Sequence, residues 1–354
     1  MNSPQINEMK KYLQLVRENI RELKPYSSAR HEFTGEAKIQ LDANENPYEY
    51  HGYNRYPDPL QKKLKDKIGR LKGIAPESIF IGNGSDEAID ILTRIFCTPG
   101  RDAVHIPQPT YGMYRVSADI NDVAVHTTML TEDFEIDADQ LLENVRENDH
   151  ILWLCNPNNP TGNIHDPQKL RYILSRFPGI VVVDEAYIDF SSEPSMISMI
   201  PDHPNLVVLQ TFSKAWGLAG MRIGMAFAQP WIIRYMNAVK PPYNINSYTQ
   251  EYVLDQLEEV EEVRREVSQI LLERQKVAEF LRSLDSVQKV FPSEANFILF
   301  RIDQSQRIFD QLTEQGIVIR NRNHEPLCKD CLRVTIGTPE ENEILMKQLK
   351  ILNK

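Results

Sequence analysis

Cysteine is scarce in this chain, with four residues in 354. That number is too small for a disulfide scaffold in a protein of this length. Cys328 and Cys331 form a C-x-x-C pair, but a zinc site needs a second pair of ligands, and neither Cys97 nor Cys155 belongs to one. The eight histidines show no ligand spacing such as H-x-x-x-H. We therefore interpret the cysteines as reduced thiols and expect no metal.

Long apolar runs and clustered positive charge are also lacking. No apolar run approaches the roughly 18 residues that cross a bilayer, and the N-terminal segment is charged throughout, unlike a signal peptide. The formal net charge is -10, and no basic stripe is visible, which argues against a nucleic-acid partner and against an anionic membrane. The composition, 41% hydrophobic and 25% charged, is typical of a globular protein, and we expect a cytoplasmic one.

Helix-like and strand-like segments alternate from about residue 60 to residue 239. Seven apolar, β-rich segments are typical of strands: residues 79–81, 103–106, 123–128, 150–155, 181–183, 206–211 and 223–228. This alternation predicts an α/β fold, with a mostly parallel seven-stranded sheet covered by helices. Asp166 and Pro167 mark the start of one helix, as N-cap and first helical residue. We assign residues 42–240 to this large domain.

The pattern changes after residue 240. A long amphipathic helical stretch is followed by strand-like segments at residues 287–291, 296–302, 318–320 and 331–337. Thr338, Pro339 and Glu341 are the N-cap signature of a final helix. Residues 241–354 are therefore predicted to form a smaller α+β domain. We assign residues 1–41 to the same domain, with an amphipathic helix at 5–23 that packs on it and a short strand at 37–41.

Polar side chains follow four of the predicted strands of the large domain. GNGSDEA follows residue 81, NPNNPTG follows residue 155, Asp184 and Tyr187 follow residue 183, and Ser213 and Lys214 follow residue 211. In a doubly wound sheet, ligands bind beyond the carboxyl ends of the strands. Four strand ends that carry such residues predict one shared site at this edge.

Lys214 is the residue around which we interpret this site. Burial disfavours the charged form of a lysine, and an uncharged lysine can attack a carbonyl and hold a Schiff base. Pyridoxal phosphate needs such a lysine for its aldehyde and a carboxylate for its pyridine nitrogen, for which Asp184 is the candidate. Asn159 and Tyr187 could donate to its phenolic oxygen. Taken singly, Asp184 could instead be a helix N-cap and NPNNPTG a plain turn.

The phosphate of such a cofactor needs amide donors and cations. The start of the helix after residue 83 offers a natural anion site at Gly84, Ser85 and Asp86. Ser213 and Arg222 add a hydroxyl and a guanidinium. Tyr111, in PTYGMY, can stack on the pyridine ring, although an isolated tyrosine is as often part of a core.

These residues carry a resemblance to a known family. SKAWGLAGMRIG, NPNNPTG, DEAY and GNGSDEAI resemble the fold-type I pyridoxal-phosphate aminotransferases of the class II group. LKPYSSAR, LDANENPY, NRYPDP, PTYGMY and CLRVTIGTPEEN narrow the resemblance to the histidinol-phosphate aminotransferase family. It extends from about residue 20 to the C-terminus. The resemblance implies pyridoxal 5'-phosphate as cofactor, the roles given above for its residues, and a homodimer with shared active sites.

The resemblance also implies residues for the substrate. Tyr56, in NRYPDP, would reach the cofactor phosphate of the neighbouring subunit. Arg333, in CLRVTIG, resembles the arginine that holds the anionic end of the substrate, and Arg320 resembles a second one. Tyr26 and Asn44 resemble substrate-pocket residues.

Arginines suit this role because a guanidinium can bind either a carboxylate or a phosphate with two hydrogen bonds. One site could then serve two different substrates. Arg322 lies two residues after Arg320, so spacing leaves open which of the two reaches the substrate. Arg320 and Arg333 could instead form ion pairs at the surface.

The implied reaction is transamination from glutamate to imidazole-acetol phosphate, which forms histidinol phosphate in histidine biosynthesis. A threonine-phosphate decarboxylase and an aromatic amino-acid aminotransferase are alternatives on the same scaffold. A transcriptional regulator with an aminotransferase-like sensor domain would need a fused DNA-binding domain, and we see only a short helix before the predicted fold begins.

Overall fold

The computed structural model describes residues 9–24, 39–50 and 52–353. Its larger sheet contains β1 (Ile79–Asn83), β2 (Ala103–Gln108), β3 (Ala124–Met129), β4 (Asp149–Cys155), β5 (Ile180–Asp184), β6 (Leu206–Thr211) and β7 (Ile223–Ala228). The strands lie side by side in the order β1-β7-β6-β5-β4-β2-β3. β7 is antiparallel to both of its neighbours, and the other pairs are parallel. The predicted mostly parallel seven-stranded sheet is confirmed.

The central strands of this sheet are buried on both faces. Every residue of β5, β6 and β7 is buried, so helices must cover the sheet on both sides. The helices on this part of the chain are α1 (Glu18–Arg21), α2 (Lys62–Lys72), α3 (Gly84–Phe96), α4 (Met113–Ile120), α5 (Ala138–Glu143), α6 (Pro167–Arg176) and α7 (Pro230–Val239). The predicted start of α6 is confirmed, because the Asp166 side chain accepts a hydrogen bond from the Gln168 amide.

A second, antiparallel sheet lies in the C-terminal part of the chain. It contains β8 (Val287–Val290), β9 (Phe297–Ile302), β10 (Arg320–Asn321) and β11 (Cys331–Thr335), in the order β10-β11-β9-β8. The helices of this part are α8 (Ser247–Gln256), α9 (Val260–Arg282), α10 (Ser305–Glu314) and α11 (Pro339–Leu352). The sheet shares a core with α9, α10 and α11. The predicted cap of α11 is confirmed as a capping box between Thr338 and Glu341.

The prediction that the N-terminal helix packs on the small domain is wrong for its described part. Residues 9–13 are helical, the chain leaves the helix at residues 14–17, and α1 follows. Tyr12 and Val16 are buried in the core beside α3 and α7 of the larger domain, and the Arg17 amide donates to the Ile95 carbonyl at 2.9 Å. An amphipathic face shows that a helix is buried but not which partner buries it.

Two other predictions about domain membership and strands need correction. α8 packs on α2, and its Val253 joins the core of the larger domain, although residues 241–354 were assigned to the small one. In the predicted strand at 37–41, the described residues 39–41 form no strand, and Ile39 and Leu41 are exposed. The exact domain bounds remain a prediction.

Two features are absent from the residues that the structure describes. None of their helices is both long and apolar enough to cross a membrane. No group of three or more His, Cys, Asp or Glu side chains among them is arranged to hold a metal ion.

Candidate active site

A cavity of about 550 Å³ opens at the carboxyl ends of the parallel strands, where the sequence predicts a site. It is lined by ten of the eleven residues predicted to bind the cofactor: Gly84, Ser85, Asp86, Tyr111, Asn159, Asp184, Tyr187, Ser213, Lys214 and Arg222. Arg320 and Arg333, predicted to bind the substrate, line it too. The small domain therefore supplies one wall of the cavity and the large domain the rest.

Asp184 stands at the last position of β5 and is buried. Its Oδ2 accepts a hydrogen bond from the Tyr114 hydroxyl at 2.8 Å, and its Oδ1 accepts one from the Ala186 amide at 3.1 Å. Burial is the largest influence and raises the pKa of Asp184 to about 6, although both hydrogen bonds favour the charged form. A cation bound against this carboxylate would offset the cost of its burial.

Tyr114 is a residue that the sequence reasoning missed. It is the second tyrosine of PTYGMY and lies on α4, fully buried, with its ring stacked on Trp153 at 5.0 Å between centroids. In the sequence, only its position three residues after Tyr111 pointed to it, and the ring centroids of the two tyrosines lie 5.5 Å apart. Tyr111 itself donates to Asp86 Oδ1 at 3.1 Å.

Lys214 follows β6 and projects into the cavity. The residue as a whole is exposed at the cavity mouth, yet the surrounding walls, and next the charge of Arg333, lower the pKa of its amine. Its Nζ lies 5.6 Å from the ring centroid of Tyr187. The Ser213 amide donates to Thr211 Oγ1 at 3.1 Å, which fixes the turn before the lysine. A lowered pKa increases the fraction of amine that can act as a nucleophile.

The end of the cavity that the sequence predicts to bind the cofactor phosphate lies where α3 begins, directly after β1. Gly84 has φ +73°, and its amide donates to the Arg222 carbonyl at 2.8 Å. Gly224, on β7, lies so close to α3 that an added Cβ would be 2.1 Å from the Ser85 amide nitrogen. Asp86 Oδ2 lies 3.7 Å from Arg222 Nη2. Glycine at Gly84 lets the start of α3 lie close to the guanidinium of Arg222, and glycine at Gly224 lets it lie close to β7.

Arg333 joins the two domains inside the cavity. Its Nη1 donates to Asn159 Oδ1, and its guanidinium carbon lies 4.9 Å from the ring centroid of Phe297. Burial, and next the charge of Arg322, lower the pKa of Arg333 to about 10. Arg322 and Glu325 also line the cavity, and their side chains lie 3.4 Å apart. The cavity thus has a strongly positive wall that comes from the small domain.

Tyr56 and Asn44 do not line this cavity. Both line a separate one of about 470 Å³, in which the Tyr56 ring stacks on Tyr243 at 4.4 Å between centroids. The Tyr56 amide donates to Glu45 Oε1 at 2.7 Å. Tyr26 lies outside the described residues.

The donor set of the main cavity fits pyridoxal phosphate. An amine of lowered pKa and a buried carboxyl line the same space, and the start of α3 lines it beside Arg222. Any side chain at Gly84 would meet Arg222 Nη2, since an added Cβ would be 2.8 Å from it. The absence of a side chain at Gly84 therefore keeps the space beside Arg222 open.

Comparison with known proteins identifies the family. The sequence model of the family described as "Aminotransferase class I and II" matches residues 33–349. A protein of Parabacteroides distasonis named histidinol-phosphate aminotransferase is 49% identical over 342 residues, which are 97% of this chain and 99% of that protein. The family model and this relative confirm the family resemblance drawn from the motifs.

Solved structures agree on the fold. A histidinol-phosphate aminotransferase from Sinorhizobium meliloti, in complex with pyridoxal-5'-phosphate, has a TM-score of 0.79 at 24% identity, covering 86% of this chain and 84% of that one. An L-threonine-O-3-phosphate decarboxylase from Porphyromonas gingivalis has a TM-score of 0.72 at 22% identity, covering 84% and 93%. At these identities both support the fold alone. The chain belongs to the aminotransferase class I and II family, in the group of the histidinol-phosphate aminotransferases.

Proposed function

We propose that this protein is a pyridoxal-phosphate-dependent aminotransferase that moves an amino group between glutamate and imidazole-acetol phosphate. The products are 2-oxoglutarate and histidinol phosphate, as in histidine biosynthesis. The observation that carries the proposal is one cavity in which Lys214 and Asp184 face arginines from the small domain. The near full-length similarity to a protein named histidinol-phosphate aminotransferase supports the choice of substrate.

Lys214 is the proposed catalytic base. The surrounding cavity walls, and next the charge of Arg333, lower the pKa of its amine, which increases the fraction of uncharged Nζ. When bound, pyridoxal phosphate supplies the electron sink that lets the amine-bearing carbon of the substrate give up a proton. Nζ accepts that proton and later delivers one to the corresponding carbon of the acceptor.

Four further side chains are proposed to orient and tune the cofactor. Asp184, ionised, would pair with the pyridine nitrogen and keep it protonated. Asn159 and Tyr187 would donate to the phenolic oxygen, and burial raises the pKa of Tyr187, which keeps its hydroxyl proton in place. Tyr111 would stack on the ring. The proposed phosphate-binding group is Gly84, Ser85, Asp86, Ser213 and Arg222, in which Asp86 would act by orienting the guanidinium.

The substrate is proposed to bind through its anion. Arg333 and Arg320 would hold the carboxylate of glutamate or the phosphate of the second substrate, because guanidinium groups accept both geometries. Their β-strands are neighbours, and the two residues are paired across the ladder. Asn44 and Tyr26 are proposed to complete the substrate pocket.

We also propose that the enzyme is a homodimer in which Tyr56 serves the cofactor phosphate of the neighbouring subunit. Tyr56 is half exposed and lines a cavity apart from the one that holds Lys214. A cytoplasmic location fits the cysteines, since all four are buried free thiols, the state that a reducing compartment maintains.

An amino-acceptor screen tests the function. Purified protein with glutamate as donor is given imidazole-acetol phosphate, aromatic 2-oxo acids, and no acceptor, and carbon dioxide release from threonine phosphate is measured in parallel. We expect the highest kcat/KM with imidazole-acetol phosphate. A preference for an aromatic acceptor, or decarboxylation without transamination, would replace the proposed function.

Subunit mixing tests the shared site. Tyr56→Phe and Lys214→Ala subunits are each impaired alone under this proposal, because each lacks a group needed at every site. A hybrid dimer has one site with both defects and one with neither, so activity should return to about half of the wild-type value per dimer. No recovery on mixing, with exchange of subunits verified, would refute the role of Tyr56 across the interface.

A further inference from the structure

The small-domain wall of the active-site cavity carries more positive charge than is required to neutralise a single carboxylate. Arg320, Arg322 and Arg333 all line the cavity, and Glu325 is the one acidic residue that lines it from the small domain, among the residues the structure describes. A guanidinium stays charged at neutral pH. The wall therefore has an excess of about two positive charges before a ligand binds.

The sheet register explains why the three arginines meet. Arg320 on β10 is paired with Arg333 on β11, and neighbours across a ladder point to the same face. The ladder continues beyond β10, since the Arg322 amide donates to the Cys331 carbonyl at 3.0 Å. Residues two apart in a strand also share a face, so Arg322 follows Arg320 on the cavity side.

Arg322 is the more enclosed of the two candidates that spacing left open. Arg320 is exposed, whereas Arg322 is half-buried, and its charge is the largest electrostatic influence of any side chain on the neighbouring Arg333. Within the described part of the chain, Nε of Arg322 and Nε of Arg333 are both buried without a hydrogen-bond partner. Buried donors of this kind call for an acceptor.

The two proposed substrates differ in the charge that they bring to this wall. A carboxylate carries one negative charge, whereas a phosphate monoester carries about 1.5 to 2 near pH 7 and has three acceptor oxygens. Two arginines are enough to bind a carboxylate. A third guanidinium with a free donor is useful to a phosphate dianion.

We propose that Arg322 is a specificity-determining residue, which favours substrates with a phosphate monoester over substrates with a carboxylate at this position. The inference rests on the proposed function, because it assumes that both kinds of substrate use the site. Glu325 orients Arg322 from the same loop and partly neutralises it, so a ligand with a single charge gains little from the pair.

The test compares two amino donors in the same half-reaction. Histidinol phosphate or glutamate is mixed with cofactor-loaded enzyme, and the second-order rate constant is followed by the change in cofactor absorbance. In Arg322→Gln, the rate constant with histidinol phosphate should fall about tenfold to a hundredfold, as expected for the loss of charge-assisted hydrogen bonds. The rate constant with glutamate should fall less than about threefold. Arg264→Gln, on the exposed surface of α9, is the matched control and should change neither rate.

Two further measurements distinguish selection of phosphate substrates by Arg322 from a purely structural role of this residue. Glu325→Gln removes the negative charge and should leave the preference for histidinol phosphate intact or increase it. In the wild-type enzyme, the ratio of the two rate constants should fall as the pH drops below about 6, where the phosphate takes up a proton, and this fall should be much smaller in Arg322→Gln.

Three results would contradict these expectations, and each does so for a different reason. Equal losses with both donors in Arg322→Gln and in Glu325→Gln would mean that the pair only supports the loop, and the inference would be refuted. A larger loss with glutamate would show that Arg322 binds its second carboxylate, which also refutes it. A wild-type enzyme that does not use histidinol phosphate would refute the proposed function instead, and competitive inhibition by inorganic phosphate then tests Arg322 alone.

Discussion

Tyr114→Phe should weaken cofactor binding in a way that depends on pH. The variant removes the hydroxyl that donates to Asp184 Oδ2 at 2.8 Å and leaves the ring stacked on Trp153. A hydrogen bond to a charged group contributes about 1.5 to 3 kcal/mol, which corresponds to about one to two pKa units. Since the bond favours the ionised carboxyl, its loss should raise the pKa of Asp184 from about 6 to between about 7 and 8.

The direction of the pH effect follows from that shift. Cofactor with a protonated pyridine nitrogen needs Asp184 ionised, and a raised pKa means that a smaller fraction is ionised at neutral pH. For a rise of about 1.5 units, the ionised fraction at about pH 6.5 falls about eightfold, while at about pH 8.5 it changes by less than about twofold. The dissociation constant of pyridoxal phosphate should increase by the same factors.

The dissociation constant is measured at the two pH values by titrating cofactor-free protein with pyridoxal phosphate and following the absorbance. Tyr172→Phe is the matched control, because Tyr172 also donates to an aspartate, Asp139 Oδ1 at 3.0 Å, but on an exposed surface. We expect no change in affinity for that variant at either pH. Equal weakening of Tyr114→Phe at both pH values would refute the electrostatic reasoning and leave only a packing effect.

Three further variants test the fold and the chemistry. Lys214→Ala should abolish turnover and leave the proposed dimer intact, as judged by rate assays and size-exclusion chromatography. Asp149→Asn should cost about 3 to 5 kcal/mol, seen as a lower melting temperature, because the buried carboxylate bonds to His105 and His126. Burial opposes ionisation of Asp149, but its hydrogen bonds hold its pKa below the ordinary value, so its stabilising effect should persist at neutral pH and disappear only as the pH falls below about 3.8. Gly224→Ala should weaken cofactor binding, since its Cβ would meet the Ser85 amide nitrogen, whereas Gly220→Ala, with open space around it, should not.

The strands of the large sheet were predictable because buried strands are short, continuous runs of apolar residues, which the sequence shows directly. β6 and β7 have the predicted bounds, and every residue in them is buried. The position of the candidate site could be predicted from the strands, because the carboxyl ends of parallel strands meet at one edge of the sheet and polar residues follow those ends. This argument alone predicts that Lys214 and Asp184 line the same site, as they do.

Other features depend on contacts that local patterns do not encode. The bond between Tyr114 and Asp184 joins residues 70 positions apart, on a helix and a strand. The N-terminal helix has an apolar face, which predicts burial but not the choice of α3 and α7 as partners. β10 is shorter than predicted, because Val318 is exposed and Arg320 is the first residue to pair with β11.

The hydrogen bond between Arg333 and Asn159 limits how substrate preference can change in this fold. Asn159 is buried beside the proposed cofactor site, so any change at Arg333 leaves a buried amide oxygen unpaired and disturbs that site as well. Arg322 pairs with Glu325 of its own loop, and the pair lies on the small-domain wall of the cavity. A substitution there alters the charge offered to the substrate and leaves the bond to Asn159 in place. The preference between phosphate and carboxylate can therefore shift at Arg322 without a loss of cofactor chemistry, whereas at Arg333 the two change together.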